Sequence, residues 1–365
     1  MEHVPDDLAE RGRAIFERLR SAPADDAETQ PAEPASSPEA GASAGQLAAD
    51  QTASVTAQQP AAPSVAAPEM RDLPTDLPTP APPPGPPEDD GQAEGASQPA
   101  ADRFARPLPR VLAIANQKGG VGKTTTAVNL GAGLAELGYR VLVVDLDPQG
   151  NATTGLGINI HNLQSSIYDV VMHDASIEDA IEPSSLKNLF VAPATIDLAG
   201  AEIELVPAFS RELKLKRAIE EIKEDFDFVL IDCPPSLGLL TVNGLAAATE
   251  VVVPIQCEYY ALEGLGQLLR NVQLVKSNLN PALEVSAIVL TMYDARTKLA
   301  EQVVQEVRTH FGDRVCRNIV PRTVRLSEAP SFGQPVTVFD PSSRGAIAYR
   351  ELAKEVSGGT PQRAG

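Results

Sequence analysis

Residues 116–126 read Asn-Gln-Lys-Gly-Gly-Val-Gly-Lys-Thr-Thr-Thr and directly follow the apolar run 111–115. The pattern predicts a buried strand, a glycine-rich turn and a helix over 123–137. Such a turn directs several backbone N–H groups and the amino end of the helix at one point, where they favour bound phosphate. The stretch therefore predicts a nucleotide-binding P-loop.

Two side chains of this loop have roles in the general P-loop pattern. Lys123 is expected to reach the β- and γ-phosphates of ATP, and the Thr124 hydroxyl is expected to ligate Mg²⁺. The loop departs from the standard pattern at position 117, which is Gln117 where that pattern has glycine. A second lysine, Lys118, stands next to it, beside a Gly-Gly pair.

Two later apolar runs also end in carboxylates. The run 141–147 carries Asp145 and Asp147, and the run 228–232 ends at Asp232. A carboxylate near the γ-phosphate can orient an attacking water or accept its proton, so Asp147 is the candidate for that role. The alternative for either member of the 145/147 pair is a helix cap or a turn. Asp232 matches a Walker B carboxylate that holds Mg²⁺, often through water, together with Thr124.

Apolar runs alternate with helical patterns throughout the chain after residue 110. This alternation predicts an α/β fold, a mainly parallel twisted sheet with helices on both faces. Ligands of such sheets bind at the carboxyl ends of the strands, where the motifs above fall. The predicted strands lie near 110–115, 140–145, 188–193, 227–232, 250–255, 285–291 and 317–320, and the predicted helices near 123–137, 212–224, 262–278, 298–311 and 344–356.

The first 100 residues have a different composition from the rest. They hold 17 of the 32 prolines and 18 acidic against 5 basic residues, a net charge of −13 out of −19 for the whole chain. A segment with so few large apolar side chains cannot offset the entropy cost of ordering. We therefore expect a disordered Pro/Ala-rich acidic linker over 22–106, a folded domain over 107–358 and a disordered tail over 359–365.

Residues 1–21 form a separate candidate element, a short amphipathic helix with Leu8, Ile15 and Leu19 on one face. Isolated helices of this length are marginal in water, so one interpretation is a fraying segment. The alternative is a docking helix for a protein partner, such as a scaffold at the cell pole, or for an acidic membrane surface.

Cysteine usage and hydropathy indicate the compartment. Cys233, Cys257 and Cys316 lack metal-ligand spacing and are expected to be small buried side chains. There is no apolar stretch of about 20 residues and no signal-peptide pattern at the start. The chain is therefore expected to be cytoplasmic, with no transmembrane segment.

The three motifs together resemble a known family. Lys-Gly-Gly-Val-Gly-Lys-Thr-Thr at 118–125 resembles the deviant P-loop of the ParA/MinD ATPases, and the segments 144–151 and 231–236 follow in the order found in chromosomal ParA (Soj) partition ATPases. The runs 321–331 and 349–356 belong to the same pattern. The resemblance covers roughly 110–356 and leaves 1–106 unexplained.

The resemblance implies specific roles. Lys118 would cross a dimer interface to the partner's nucleotide and act in catalysis with Asp147, and Arg296 and Arg325 would bind double-stranded DNA without sequence preference, through its phosphates. The alternative for both arginines is solvated surface. The residues that would bind ATP are Lys118, Gly119, Gly120, Val121, Gly122, Lys123, Thr124 and Thr125.

The resemblance also implies a mechanism in the cell. An ATP-bound sandwich homodimer would bind nucleoid DNA, and a ParB-type centromere-binding protein would stimulate hydrolysis and release the dimer. A MinD-like membrane switch that places the division site is the alternative, but that class ends in a basic amphipathic helix, and residues 356–365 do not have this pattern. A reductase like the nitrogenase iron protein would need a cysteine pair around a cluster, and Cys233 has no partner motif.

Overall fold

The computed structural model describes residues 104–258 and 263–358. The predicted helix at 1–21, nearly all of the predicted linker and the predicted tail lie outside the described residues. The strands are β1 (Arg110–Ile114), β2 (Val141–Asp145), β3 (Glu182–Pro183), β4 (Leu189–Ala192), β5 (Phe228–Asp232), β6 (Glu250–Gln256) and β7 (Glu284–Thr291).

The described strands form one seven-stranded sheet in the order β3-β4-β2-β5-β1-β6-β7. Every pair is parallel except β3 with β4. Residues of β1, β2 and β5 are buried throughout because helices cover both faces of the sheet, and such strands read as continuous apolar runs. The predicted fold class is confirmed.

The helices between the strands fill two core layers. One layer packs against Val111 and Ala113 of β1, and the other against Leu112 and Ile114, because alternate side chains of a strand point to opposite faces. The α-helices are α1 (Lys123–Glu136), α2 (Asn151–Gly155), α3 (Ile167–His173), α4 (Leu198–Glu204), α5 (Lys214–Ile222), α6 (Leu239–Ala247), α7 (Glu263–Asn278), α8 (Lys298–Phe311), α9 (Val324–Glu328), α10 (Val336–Phe339) and α11 (Arg344–Ser357).

The predicted strand at 317–320 is wrong. The segment runs beside β7, and Val320 N–H donates to Leu290 O at 2.9 Å, but it forms only isolated bridges at Val315 and Pro321. The backbone N–H of Asn318 donates to Glu355 of α11 at 3.0 Å, so this group is directed away from the sheet. Pro321 has no N–H to continue a ladder.

A buried ion pair closes the amino-terminal edge of the sheet. The Arg110 guanidinium in β1 donates to both carboxylate oxygens of Glu250 in β6, at 2.7 and 2.8 Å. It also donates to the carbonyl oxygens of Phe104, at 3.2 Å, and Val356, at 2.6 Å. One side chain thus fixes the start of the described domain to its last helix. In residues 104–258 and 263–358, no helix combines the length and apolar character needed to span a membrane.

Candidate nucleotide-binding site

The loop between β1 and α1 has the backbone shape that a phosphate cradle needs. Gly120 and Gly122 have positive φ angles of 72° and 90°, and Gly122 is the N-cap of α1 without a side-chain cap. The N–H groups of the first helical turn are therefore left for a ligand. A side-chain carbon built at Gly119 or Gly120 would meet nothing within 4 Å, so the space above the loop is open.

Polar residues at the ends of neighbouring strands hold this loop in place. Asn116 donates to Pro254 O in β6 at 2.8 Å and accepts the Lys118 N–H at 3.0 Å. The Thr291 hydroxyl at the end of β7 donates to Val121 O at 2.8 Å. Sequence reasoning missed both anchors. The only signal for them was a polar residue that closes an apolar strand.

Lys123 lies inside the cradle with 6% of its surface exposed, and its ammonium donates to Lys118 O at 3.2 Å. Burial lowers its pKa, and the nearby carboxyl groups of Asp232 and Asp147 oppose that shift. The structure therefore brings Asp147 and Asp232, the two carboxylates predicted for the site, close to this lysine.

The parallel register explains why these groups meet. Asp232 of β5 pairs with Ile114 of β1 on one side and with Asp145 of β2 on the other. The P-loop and both carboxylate-ended loops consequently leave the sheet at one level of its carboxyl edge. The strand order β2-β5-β1 therefore brings the three motifs together.

Asp145 is a structural residue. Its carboxylate accepts the Thr153 N–H at 2.8 Å, the Thr153 hydroxyl at 2.7 Å and the Asp147 N–H at 3.2 Å. Complete burial raises its pKa to about 6, although these hydrogen bonds oppose the rise. Asp145 therefore fixes the loop that presents Asp147, and Asp147 itself accepts the Gln149 N–H at 3.0 Å.

Asp232 differs from Asp145 in its hydrogen bonds. It is fully buried, yet neither carboxylate oxygen accepts a well-formed hydrogen bond from the residues that the structure describes. Burial, followed by the charge of Asp145, raises its pKa well above the usual range, and the neighbouring Thr124 hydroxyl partly offsets the rise. A buried carboxylate without partners is costly unless a cation neutralises it.

The donor set at this point fits Mg²⁺. Magnesium is usually held by one or two carboxylates together with substrate phosphates and waters, which is what Asp232, Thr124 and an open cradle provide. Among residues 104–258 and 263–358, there is no cluster of three or more His, Cys, Asp or Glu side chains that could hold a metal ion. Cys233, Cys257 and Cys316 are buried, as predicted.

A cavity of about 260 Å³ adjoins the cradle. Gly122 and Thr125 form its P-loop side, and Met292, Pro321 and Leu326 supply apolar surface on the far side. Its apolar lining and its place beside the P-loop suit a base attached to phosphates in the cradle. The sequence did not reveal these residues, since they come from two segments that are distant in the chain.

A second groove, which shares Pro321 and Arg322 with this cavity, lies at the predicted DNA-binding arginines. Arg296 lines a groove of about 730 Å³ together with Arg322 and Arg344. Its side chain is 87% exposed and binds Asp294 at 2.6 Å, and this contact holds the pKa of the Asp294 carboxyl well below its usual range. Arg325 lies on α9 between two lining residues, but binds Glu328 at 2.9 Å.

Comparison with known proteins identifies the family. Residues 109–285 match the family model described as an AAA domain. The sporulation initiation inhibitor protein Soj of Bacillus subtilis is 58% identical over 248 residues, which cover 68% of this chain and 98% of Soj. The chain belongs to the ParA/Soj family of chromosome-partitioning ATPases. The chromosome partitioning protein ParA of Caulobacter vibrioides is 55% identical over 254 residues, 69% of this chain and 95% of that protein.

Solved structures agree with this ParA/Soj assignment. A Mycobacterium smegmatis protein described as cobyrinic acid a,c-diamide synthase, with bound ADP and magnesium, is 44% identical with a TM-score of 0.59 over 67% of this chain and 93% of its own. The cell-division ATPase MinD of Pyrococcus furiosus is 28% identical with a TM-score of 0.56, over 68% and 98%. The MinD likeness shows the shared fold, and the higher identity lies with Soj and ParA.

Proposed function

We propose that the chain is a Mg²⁺-dependent ATPase whose ATP-bound dimer binds DNA without sequence preference. In this proposal, a ParB-type centromere-binding protein stimulates hydrolysis and so releases the dimer from the nucleoid. The observation that carries it is the buried Asp232 carboxylate, which accepts no well-formed hydrogen bond from the described residues and lies beside Lys123 and an open P-loop, in a chain closely related to Soj.

The site residues divide the chemistry among them. The α1 N-terminus and Lys123 bind the phosphates, and the neighbouring cavity takes the base. Thr124 and Asp232 would hold Mg²⁺, which neutralises charge that develops on the phosphates during transfer. Asp147, next to Lys123, orients the attacking water and accepts its proton.

The proposed dimerisation rests on the side chains that are exposed at the carboxyl edge of the sheet. Lys118 is partly exposed at the rim of the loop, where it can reach the nucleotide of a second copy. The segment after β4 exposes apolar side chains, of which Ile203 is 77% and Phe209 90% exposed. Glu202 in this segment contacts Ser236 in the loop after Asp232 at 3.4 Å. Exposed apolar side chains next to a nucleotide edge support an interface with a second copy at this place.

DNA binding rests on the arginine groove. Arg296 and Arg325 are mostly exposed and can exchange their carboxylate partners for phosphates, since exposed ion pairs are weak. Contacts to phosphate carry no sequence information, so the binding is non-specific. Nucleoid association in the cytoplasm follows from this activity.

The test is ATP hydrolysis with and without DNA and a ParB-type protein, for wild type and for Lys118→Ala. We expect Mg²⁺-dependent hydrolysis that rises when both are added, and a loss of that stimulation in the variant with ATP still bound. Hydrolysis that does not require Mg²⁺, or stimulation that is intact in Lys118→Ala, would contradict the proposal.

A further inference from the structure

Arg322 lies in the groove beside Arg296, whereas the family resemblance assigned DNA binding only to Arg296 and Arg325. It lines the 730 Å³ groove with Arg296 and Arg344, and it also lines the 260 Å³ cavity beside the P-loop. Its backbone is fixed, because its N–H donates to Tyr293 O at 3.0 Å and Tyr293 N–H donates to Val320 O at 3.1 Å. A fixed backbone presents the guanidinium at a defined place in the groove.

A carboxylate from another segment holds this guanidinium. Glu258, which follows β6, lies 3.6 Å from Arg322, and the two side chains are 47% and 66% exposed. The pairs of Arg296 with Asp294 and of Arg325 with Glu328 are local, between residues two and three apart, and Arg325 also contacts Asp340 at 3.1 Å. The Arg322–Glu258 pair joins segments 64 residues apart, so no local turn imposes it.

The chemistry of the pair suits a competition between Glu258 and DNA phosphate. A half-exposed ion pair is screened by water and contributes little to folding stability. A phosphate diester presents the same charge to the guanidinium and additionally releases condensed counterions when it binds. Glu258 therefore opposes DNA binding at Arg322 without blocking it.

Resting on the function proposed above, we propose that Arg322 is a further contact to the DNA phosphate backbone and that Glu258 is the carboxylate that competes with DNA for it. The ligand is duplex DNA of any sequence. The pair sets how tightly the groove binds, and Glu258 keeps the affinity low enough for release.

A double-mutant cycle tests the pair. The variants are Arg322→Gln, Glu258→Gln and the double variant. The matched control is Arg217→Gln, because Arg217 is an exposed arginine of α5 and does not line the groove. The readout is the affinity for a labelled random-sequence duplex at saturating ATP and several salt concentrations. A duplex of ~24 base pairs is long enough for contacts with several phosphates. Unfolding midpoints verify that each variant is folded.

We expect Arg322→Gln to weaken binding by about tenfold and to lower the slope of log affinity against log salt by about 1. Glu258→Gln should tighten binding by a factor of about three or more, and the double variant should bind like Arg322→Gln, because Glu258 acts through Arg322. Arg217→Gln should resemble wild type. Arg322→Lys keeps the charge and should retain the wild-type slope.

An unchanged salt slope in Arg322→Gln would overturn the inference. Equal tightening by Glu258→Gln in the presence and absence of Arg322 would also overturn it, since the carboxylate would then act only through net charge. Wild type that binds no DNA with ATP would contradict the proposed function, and the inference with it. Wild-type binding with no response in the variants would contradict the inference alone.

Discussion

Three aspartates end neighbouring strands or begin the next loop, and their surroundings give them three different roles. Asp145 accepts hydrogen bonds from Thr153 and Asp147, Asp147 lies near Lys123, and the buried Asp232 carboxylate accepts no well-formed hydrogen bond within the described residues. The sequence predicted that Asp147 and Asp232 belong to the site, because each follows a buried strand. It chose Asp147 over Asp145 for the chemistry, but it could not give Asp145 its role, since that role depends on Thr153, which is eight residues away.

Asp147→Ala should retain ATP and accumulate as a dimer, because the variant keeps the cradle and loses the group that orients water. Loss of a positioned base lowers hydrolysis by about 10²- to 10⁴-fold. Single-turnover hydrolysis and size-exclusion chromatography with ATP measure both effects. Turnover equal to that of wild type would remove Asp147 from the chemistry.

Asp145→Asn should change how stability depends on pH. The pKa of Asp145 is raised to about 6 in the folded chain, above its unfolded value near 3.8. The folded protein thus holds a proton that the unfolded chain has lost, so Asp145 alone contributes a fall of about 3 kcal/mol in the free energy of unfolding as pH rises from about 4 to about 6. Without the titrating group, this contribution should be absent.

Chemical unfolding at pH values from 4 to 7 measures this difference. The comparison is between wild type and Asp145→Asn, because Asp232 titrates in both proteins. Parallel curves for the two proteins across this window would show that Asp145 does not carry the shift.

At the scale of elements, a strand or helix could be predicted when its own sequence carries a clear pattern. The central strands β1, β2 and β5 were predicted because their burial on both faces gives continuous apolar runs. Short helices such as α2 and α4, of 5 and 7 residues, were missed because they are too short for a helical period to appear. The cavity beside the P-loop and the groove that Arg296 lines were missed as units because each joins segments that only the fold brings together.

The buried pair of Arg110 and Glu250 predicts a large effect on stability. Arg110→Ala removes the two short hydrogen bonds to the buried Glu250 carboxylate and those to the carbonyl oxygens of Phe104 and Val356, so it should lower the free energy of unfolding by about 3–5 kcal/mol. Arg106→Ala is the matched control. It removes a part-exposed arginine that contacts the same carboxylate at 3.5 Å, and should cost about 0–1 kcal/mol. Similar losses in urea unfolding for both variants would contradict this account of the edge.

At the scale of the whole molecule, charge is divided unevenly along the chain. Residues 1–100 carry a net −13 of the total −19, while the arginine groove and every nucleotide motif lie after Arg110. An acidic segment repels DNA rather than binding it. The ATPase and DNA-binding activities are therefore expected to reside in the part of the chain that contains the sheet.

A chain that starts at Ala101 should hydrolyse ATP and bind DNA like the full chain, but should be misplaced in the cell. Ala101 is preferred to residue 107 as a start, because Phe104 is buried and its carbonyl accepts from Arg110. Hydrolysis assays and a fluorescent fusion in the native host test the two halves. Loss of hydrolysis would make the first 100 residues part of the fold, and normal placement would contradict their role in docking.

The central claim is that ATP switches DNA binding on through this site. Its most direct test is the affinity of the purified chain for a random-sequence duplex with ATP or with ADP, across a range of salt, with Lys123→Ala as control. The account predicts DNA binding with ATP but not with ADP, an affinity that falls steeply with salt, and no binding in Lys123→Ala. Equal affinity with ATP and ADP, or ATP-dependent binding in Lys123→Ala, would contradict it.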